Sequence, residues 1–257
     1  MIAHKRHQLI LDLLREQSPV AVPELERRLR ASPATVRRDL QWLERLGRVL
    51  RTHGAVMRPE DGAGEVPFDR KSRAALAEKA ALGAAAAALI PGGASVFVDA
   101  GTTTLEAGRR LLARPDLTLY TNSLPLLQLE PAAGTRLVAL GGEVRRVSLA
   151  LVGAGALEWV RHLRPDVALL GTSGISVGDG PTTTELGEAA LKGAMAEQAG
   201  RVVVLADASK WAAPAAVRYC GWSRVHDLLT SHAVSPAARS ALARAGTRVQ
   251  VIRRGRV

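Results

Sequence analysis

Apolar residues recur at helical spacing three times within the first 46 positions. Leu9, Ile10, Leu13 and Leu14 form a first stripe that stops at Ser18 and Pro19. A shorter second stripe, "VPELERRLR", starts at Pro23 and carries Leu25 and Leu29 one turn apart. The third, "SPATVRRDLQWLERLG" at 32–47, has Ser32 as N-cap, Pro33 at the first helical position and Gly47 as stop. At about 3.6 residues per turn, Val36, Leu40 and Leu43 gather on one side and must face a core. Ala34, Arg38, Gln41 and Arg45 point the opposite way, flanked by Thr35, Arg37 and Trp42. "GRVLRTHGAVM" at 47–57 then places two short β-prone runs around "RTHG", which predicts a small hairpin with a basic tip.

From residue 58 the pattern changes. "RPEDGAGEVPFDR" (58–70), broken by Pro59, Gly62, Gly64 and Pro67, reads as a linker. "RAALAEKAALGAAAAALI" (73–90) reads as a helix. Seven β-rich runs follow, "SVFVDAG", "LTLYTNS", "RLVALGG", "VALLGTSG", "RVVVLAD", "DLLTSHA" and "RVQVI", separated by helical or mixed segments. Short apolar strands alternating with helices imply an α/β body with a mostly parallel sheet covered on both faces. The expected domains are residues 1–57, a linker at 58–70, and residues 71–257.

Composition narrows the class. Aromatics are 3% against 47% hydrophobic residues, so the core must be built of Ala, Val and Leu. No apolar run reaches the roughly 20 residues that span a bilayer. The first residues lack the cleavage pattern of a signal peptide, and the expectation is a cytoplasmic protein. The single cysteine, Cys220, excludes an internal disulfide framework and a Cys-rich zinc site. Residues 1–60 hold 12 Lys+Arg against 7 Asp+Glu, and the remaining 197 hold 23 against 17, so positive charge is densest at the start. That suits a polyanionic partner, although a solvated basic surface gives the same count.

A helix that packs through one face and offers arginine, glutamine and small residues on the other fits a major groove. Its N-terminal half would reach base edges while its arginines hold phosphates. The opposing reading is an ordinary amphipathic helix with a solvated face. In the hairpin, Arg51 and His53 are candidate contacts to the nucleic-acid backbone.

In open α/β sheets ligands bind at the carboxyl ends of the strands, and polar residues gather there. "DAGTTTLEAG" ends a strand at Asp99, turns at Gly101 and starts a helix at Thr102, Thr103 and Thr104; Thr103 and Glu106 fit a capping box. Free N–H groups and three hydroxyls at a helix N-terminus make a phosphate cradle. Asn122 and Ser123, Gly141 and Gly142, "GTSG", and Asp207 with Lys210 close the next strands. Lysine is scarce, 5 against 30 arginines, and two of the five, Lys192 and Lys210, fall beside this edge. A compact ammonium suits a phosphate. The alternatives are a helix-face pair of Lys192 with Glu188, worth about 0.2–0.5 kcal/mol, and a solvated turn at Lys210. "VGAGALE" lacks a dinucleotide fingerprint, the six histidines show no metal spacing, and "IRRGRV" reads as a solvated tail. No cofactor or metal is expected.

The N-terminal run resembles the DNA-binding domain of the DeoR family of bacterial transcription regulators, through Ser32, residues 35–40 and "RTHG" at 51–54. Ala55 stands where a second glycine is common in that family, which implies a stiffer wing. The body resembles the same family through "DAGTTTLEAG", "TNSLPL", "GGEVRRVSLALVG", "LLGTSGIS", "TTTELGEAALKGAM" and "VLADASKW". The resemblance implies a winged helix-turn-helix followed by a sensor domain similar to ribose-5-phosphate isomerase, with sensing in place of catalysis. It implies DNA contacts from Ser32, Ala34, Thr35, Arg37, Arg38, Gln41, Arg45, Arg51 and His53. It further implies an effector pocket of Asp99, Gly101, Thr102, Thr103, Thr104, Asn122, Ser123, Gly141, Gly142, Glu188, Lys192, Asp207 and Lys210. Arg145 and Ser148 lie in a matching motif, with a role that is either structural or ligand-binding. The implied function is a repressor of a carbohydrate operon, a homo-oligomer whose partners are operator DNA and a phosphorylated sugar. Two rivals stand beside it: a sugar-phosphate isomerase with a DNA-binding head, and a DNA-binding protein whose body only oligomerises.

Overall fold

A computed structural model of the chain describes residues 2–46, 48–52, 54–57 and 65–253, with the backbone alone for 50–52. Gly47, His53, residues 58–64 of the predicted linker and residues 254–257 of the tail lie outside the described residues. The chain forms two compact units, Met1–Val66 and Pro67–Val257.

The first unit runs α1 (Ala3–Glu16), β1 (Val20–Ala21), α2 (Val22–Leu29), α3 (Pro33–Arg45), β2 (Leu50–Thr52) and β3 (Ala55–Met57). β2 and β3 pair antiparallel as the predicted hairpin, and β3 pairs on its other side with β1. That two-residue strand is too short for a periodicity to mark. Ile10, Leu14, Leu25, Leu29, Val36, Leu40, Leu43, Val49 and Val56 make one apolar cluster. Each helix of the trio thus contributes the stripe its spacing predicts, while Leu9, 39% exposed, falls at the margin. Arg30 closes α2 in the left-handed region at φ 48°. Ser32 caps α3, its hydroxyl accepting from the Thr35 N–H at 3.3 Å.

The second unit contains β4 (Ser95–Val98), β5 (Thr118–Thr121), β6 (Arg136–Ala139), β7 (Glu143–Arg145), β8 (Ala150–Val152), β9 (Val167–Gly171), β10 (Gly174–Ser176), β11 (Gly180–Thr183), β12 (Arg201–Ala206), β13 (Val217–Arg218), β14 (Asp227–Thr230) and β15 (Arg248–Val251). Seven of them form a sheet in the order β15-β14-β12-β9-β4-β5-β6. Every neighbouring pair in it is parallel. These are the seven runs predicted from sequence. Side chains alternate between two cores, because successive strand residues face opposite ways. Phe97, Ala168, Leu170, Val202, Val204 and Leu228 enter one core, with helices Ala154–His162 and Leu186–Gln198 over them. Val96, Val98, Leu169, Val203, Leu205 and Leu229 enter the other, under helices Leu76–Ala88 and Thr102–Leu112.

Three features depart from expectation. In place of the predicted helix at 73–90 stand two helices, Phe68–Arg73, which overlaps it only at Arg73, and Leu76–Ala88, parted at Ala75 with φ 52°. The first of them, with Phe68 buried in the core of this unit, begins inside the stretch assigned to the linker. Two small sheets, β7-β8 and β10-β11-β13, are built from strands too short for sequence to flag. The Thr103–Glu106 capping box is absent. The helix starts two residues earlier with Gly101 as cap, Thr103 lies buried inside it, and Glu106 pairs with Arg110 and Arg109.

Helices Leu76–Ala88 and Thr102–Leu112 cross in contact at Gly83, where an added Cβ would lie 2.6 Å from the Glu106 backbone. Gly→Ala inside a helix normally gains about 1 kcal/mol. Here backbone meets backbone, and overpacking costs about 1–3 kcal/mol. Gly83→Ala is therefore expected to lower the urea midpoint; a raised midpoint would show that the two helices do not meet at this residue.

Candidate functional site

The outward face of α3 is as the helical period dictates. Ser32, Ala34, Arg37, Arg38, Gln41 and Arg45 are exposed and Thr35 half-buried. The Ser32 and Thr35 hydroxyls lie 2.9 Å apart, so both are ordered by the cap. The arginines of α2 are spent locally, Arg27 and Arg28 on Glu24. Among the described residues Arg37, Arg38 and Arg45 have no carboxylate partner. β2 supplies Arg51 with a place in the wing, its side chain lying outside the description along with His53.

Orientation of this face rests on a residue the periodicity did not single out. Asp39, 5% exposed, faces α1, where it accepts from Arg6 Nε at 2.6 Å and Nη2 at 3.0 Å. His7 Nε2 lies 2.9 Å from the same carboxylate, and its ring stacks on Trp42 with centroids 4.4 Å apart. Burial pushes the Asp39 carboxyl up, and the bonds from Arg6 and His7 outweigh it and hold the group below its ordinary value. The sequence signal was an acidic residue next to the apolar Leu40 within an arginine-rich helix.

In the second unit the strand order reverses between β4 and β9: β5 and β6 continue on one side, β12, β14 and β15 on the other. The reversal at the carboxyl ends of β4 and β9 is where open α/β sheets place their ligand crevice. Asp99, 1% exposed, follows β4 and accepts from the Gly171 N–H at 2.9 Å. Its second partner is the Lys192 ammonium, which also donates to the Gly171 carbonyl at 3.3 Å. Tyr219 donates to that carbonyl at 3.0 Å, and its ring lies 5.7 Å from the Lys192 nitrogen. Burial pushes the Asp99 carboxyl up, and Lys192 only partly reverses it. Lys192 is thus paired across the crevice rather than with Glu188 on its own helix. Glu188 turns instead to Arg145 Nη1 at 3.0 Å and the Thr183 hydroxyl at 3.1 Å, while Arg145 also donates to Ser148 at 3.0 Å.

The remaining residues of the expected pocket end neighbouring strands on the same edge. Thr102, Thr103 and Thr104 open their helix beside Asp99, with the Thr104 hydroxyl donating to the Gly101 carbonyl at 3.0 Å. Asn122 accepts from the Ala100 N–H at 2.8 Å and donates to the Leu151 carbonyl, and Ser123 caps the next short helix. Gly142, at φ 105°, is needed because a Cβ would sit 2.3 Å from the Val152 carbonyl oxygen, so its closeness is to β8. Asp207 accepts from the Ser209 N–H at 2.9 Å and lies 3.8 Å from Lys210. Sequence reasoning passed over Lys79, buried in an alanine-rich helix, and Tyr219. The scarcity of lysine that marked Lys192 marks Lys79 equally. Among the described residues no group of His, Cys, Asp and Glu could hold a metal ion, and no helix is long and apolar enough to cross a membrane.

Comparison with known proteins matches both units. The DeoR-like helix-turn-helix domain matches residues 6–61, and the DeoR C terminal sensor domain matches residues 74–232. The uncharacterized HTH-type transcriptional regulator YgbI of Escherichia coli is 32% identical over 94% of this chain and 95% of that protein. The HTH-type transcriptional regulator GlpR of Haloferax volcanii is 32% identical over 97% of this chain and 98% of its own. The glycerol-3-phosphate regulon repressor of Escherichia coli is 30% identical over 88% of this chain and 90% of its own. Among solved structures, ribose 5-phosphate isomerase A of Methanocaldococcus jannaschii overlays 52% of this chain and 53% of its own at 18% identity with a TM-score of 0.38, a likeness too slight to build on.

The state of Asp39 fixes an acid dependence. Its folded carboxyl titrates below the unfolded value of about 3.9, so the unfolded chain binds more protons in that range. Its stabilisation is complete above the unfolded value and is lost as pH falls toward the folded one. Asp39→Ala is expected to cost about 1.5–3 kcal/mol at neutral pH and to flatten the acid limb of the unfolding curve for the first unit. An unchanged acid limb would show that the carboxylate does not carry α3.

Proposed function

The chain belongs to the DeoR family, and on that premise we propose that it is a repressor of a carbohydrate operon, released or engaged by a phosphorylated sugar. The observation that carries the reading is the α3 face: an ordered cap, arginines with no carboxylate partner among the described residues, and a core stripe opposite. Such a helix gives base contacts from Ala34, Arg38 and Gln41 and phosphate contacts from Arg37 and Arg45, and Arg51 and His53 are proposed as further phosphate contacts on the strength of the sequence alone. One winged helix buries little DNA, so paired half-sites on a homo-oligomer supply the missing affinity. A cytoplasmic location accords with operator DNA as partner.

The effector is assigned to the crevice at the strand reversal. The N–H groups of Thr102, Thr103 and Thr104 and the ammonium of Lys210 suit a phosphate. Asp99, Asn122, Ser123 and Glu188 suit sugar hydroxyls, with Gly101, Gly141 and Gly142 shaping the floor. Binding in place of turnover is the reading favoured by how the carboxylates are used. Asp99 is held by Lys192 and Gly171, and Glu188 by Arg145 and Thr183, which supports carboxylates that position a ligand over ones that shuttle a proton. An effector that distinguishes the DNA-competent state by about 1–3 kcal/mol shifts operator affinity roughly 5–150-fold.

Arg38→Ala is expected to weaken operator binding by about 1–3 kcal/mol and to relax its sequence preference; unchanged affinity in a gel-shift titration would remove α3 from the interface. A phosphorylated sugar at 100 times its dissociation constant is expected to stabilise the protein by about 2.7 kcal/mol in thermal unfolding. Lys210→Ala should abolish that gain while leaving DNA binding intact. Turnover of a sugar phosphate by the purified protein would favour the isomerase reading instead.

A further inference from the structure

The chain has four tryptophans. Two spend their indole N–H inside the protein: Trp211 donates to the Thr230 hydroxyl at 2.9 Å and Trp222 to the Ser176 carbonyl at 2.8 Å. Trp42 is 43% exposed, and its indole N–H has no acceptor among the described residues. Its ring is nevertheless fixed. It stacks on His7 with centroids 4.4 Å apart and planes 19° from parallel, and His7 Nε2 lies in turn 2.9 Å from the Asp39 carboxylate. An indole backed in this way, with its one donor unspent, is placed to meet something outside the unit.

The position of Trp42 on α3 names the partner. At about 100° per residue, Ala34, Arg38, Gln41 and Arg45 centre the outward face, with Arg37 about 70° to one side and Trp42 about 70° to the other. A major groove is about 12 Å wide, and a helix with its side chains measures about 10–12 Å across. A helix seated there fills the groove, so its two flanks face the walls, which are sugar and phosphate. Charge agrees with this placement. Trp42 lies four residues after Arg38 and three before Arg45, and neither has a carboxylate partner among the described residues. The acid on this flank, Asp39, is buried and paired with Arg6, while Glu44 falls on the Arg37 side. A second copy of this surface would set like charge against like, whereas a DNA backbone is negative.

We propose that Trp42 is a contact to the DNA backbone, its indole N–H donating to a phosphate oxygen on the groove wall opposite the one that Arg37 meets. This rests on the seating of α3 in the major groove given above. A hydrogen bond to an ionised oxygen is roughly twice as strong as one between neutral groups, and a ring already stacked loses little freedom on binding. Because indole carries no charge, the contact adds affinity without displacing a counterion, which sets it apart from the arginines of the same helix.

Titration of the full chain with a random-sequence duplex over a range of sodium chloride tests this, since backbone contacts carry no sequence information. Trp42→Phe keeps a ring against His7 and removes only the donor. It is expected to bind about ten-fold more weakly, with the slope of log affinity against log salt and the thermal unfolding both unchanged. Arg37→Ala should instead lower that slope by about 0.9. Wild-type binding by Trp42→Phe beside weakened binding by Arg37→Ala overturns the Trp42 contact and leaves α3 in the groove. If neither variant is weakened, the seating of α3 fails and the contact with it. A loss at Trp42→Phe that comes with a smaller assembly in sedimentation also overturns the proposal, because Trp42 would then join two copies of the chain.

Discussion

A buried carboxylate has to be answered by donors, and in the second unit that requirement falls where the sheet reverses direction. Lys192 reaches from a helix on one face to Asp99 at the end of β4, and Asp99 in turn fixes the Gly171 N–H at the end of β9. The charge pair thus bridges the reversal, with Tyr219 leaning on the same Gly171 carbonyl. Removing either charge from such a pair costs about 3–5 kcal/mol, because the survivor is left uncompensated. The loops after β4 and β9 are accordingly held in one arrangement before any ligand arrives, which is the preorganisation a small polar ligand needs.

The sheet was legible because a parallel strand buried on both faces leaves an unmistakable trace, an unbroken run such as "RVVVLA" or "VALLG". What escaped were elements whose length defeats periodicity. β1 and β13 have two residues each, and β7, β8 and β10 have three. They exist because neighbouring backbone offers them partners, a fact that no local pattern records. The division at Ala74 and Ala75 escaped for a different reason: alanine favours helix so strongly that the stretch reads as continuous, yet tertiary packing places Ala75 at positive φ. The Thr103–Glu106 box failed because the helix begins two residues earlier and Glu106 finds arginines within reach on its own face.

Side-chain chemistry was legible where exposure follows from geometry, as along α3, and illegible where a charge is buried. Asp39 sits among arginines in the sequence and pairs with Arg6, 33 positions away. The helical neighbours Glu188 and Lys192 invite pairing at four residues' spacing, and each takes a distant partner instead, because both are buried and the short-range helix-face bond is a surface interaction. Lys79 shows the same limit. A lone lysine in "ALAEKAALGAAAAA" resembles a solubilising charge until the packing of helix Leu76–Ala88 turns it inward.

The division of labour on α3 has an evolutionary side. Asp39, Val36, Leu40 and Leu43 hold the helix to its unit, whereas Arg37, Arg38, Gln41 and Arg45 are exposed. Substitutions on the outer face are close to neutral for folding. A duplicated copy of such a gene can therefore explore new operator sequences one exposed residue at a time, without first acquiring stabilising changes elsewhere. Retargeting is cheap in this architecture, and losing Asp39 is not.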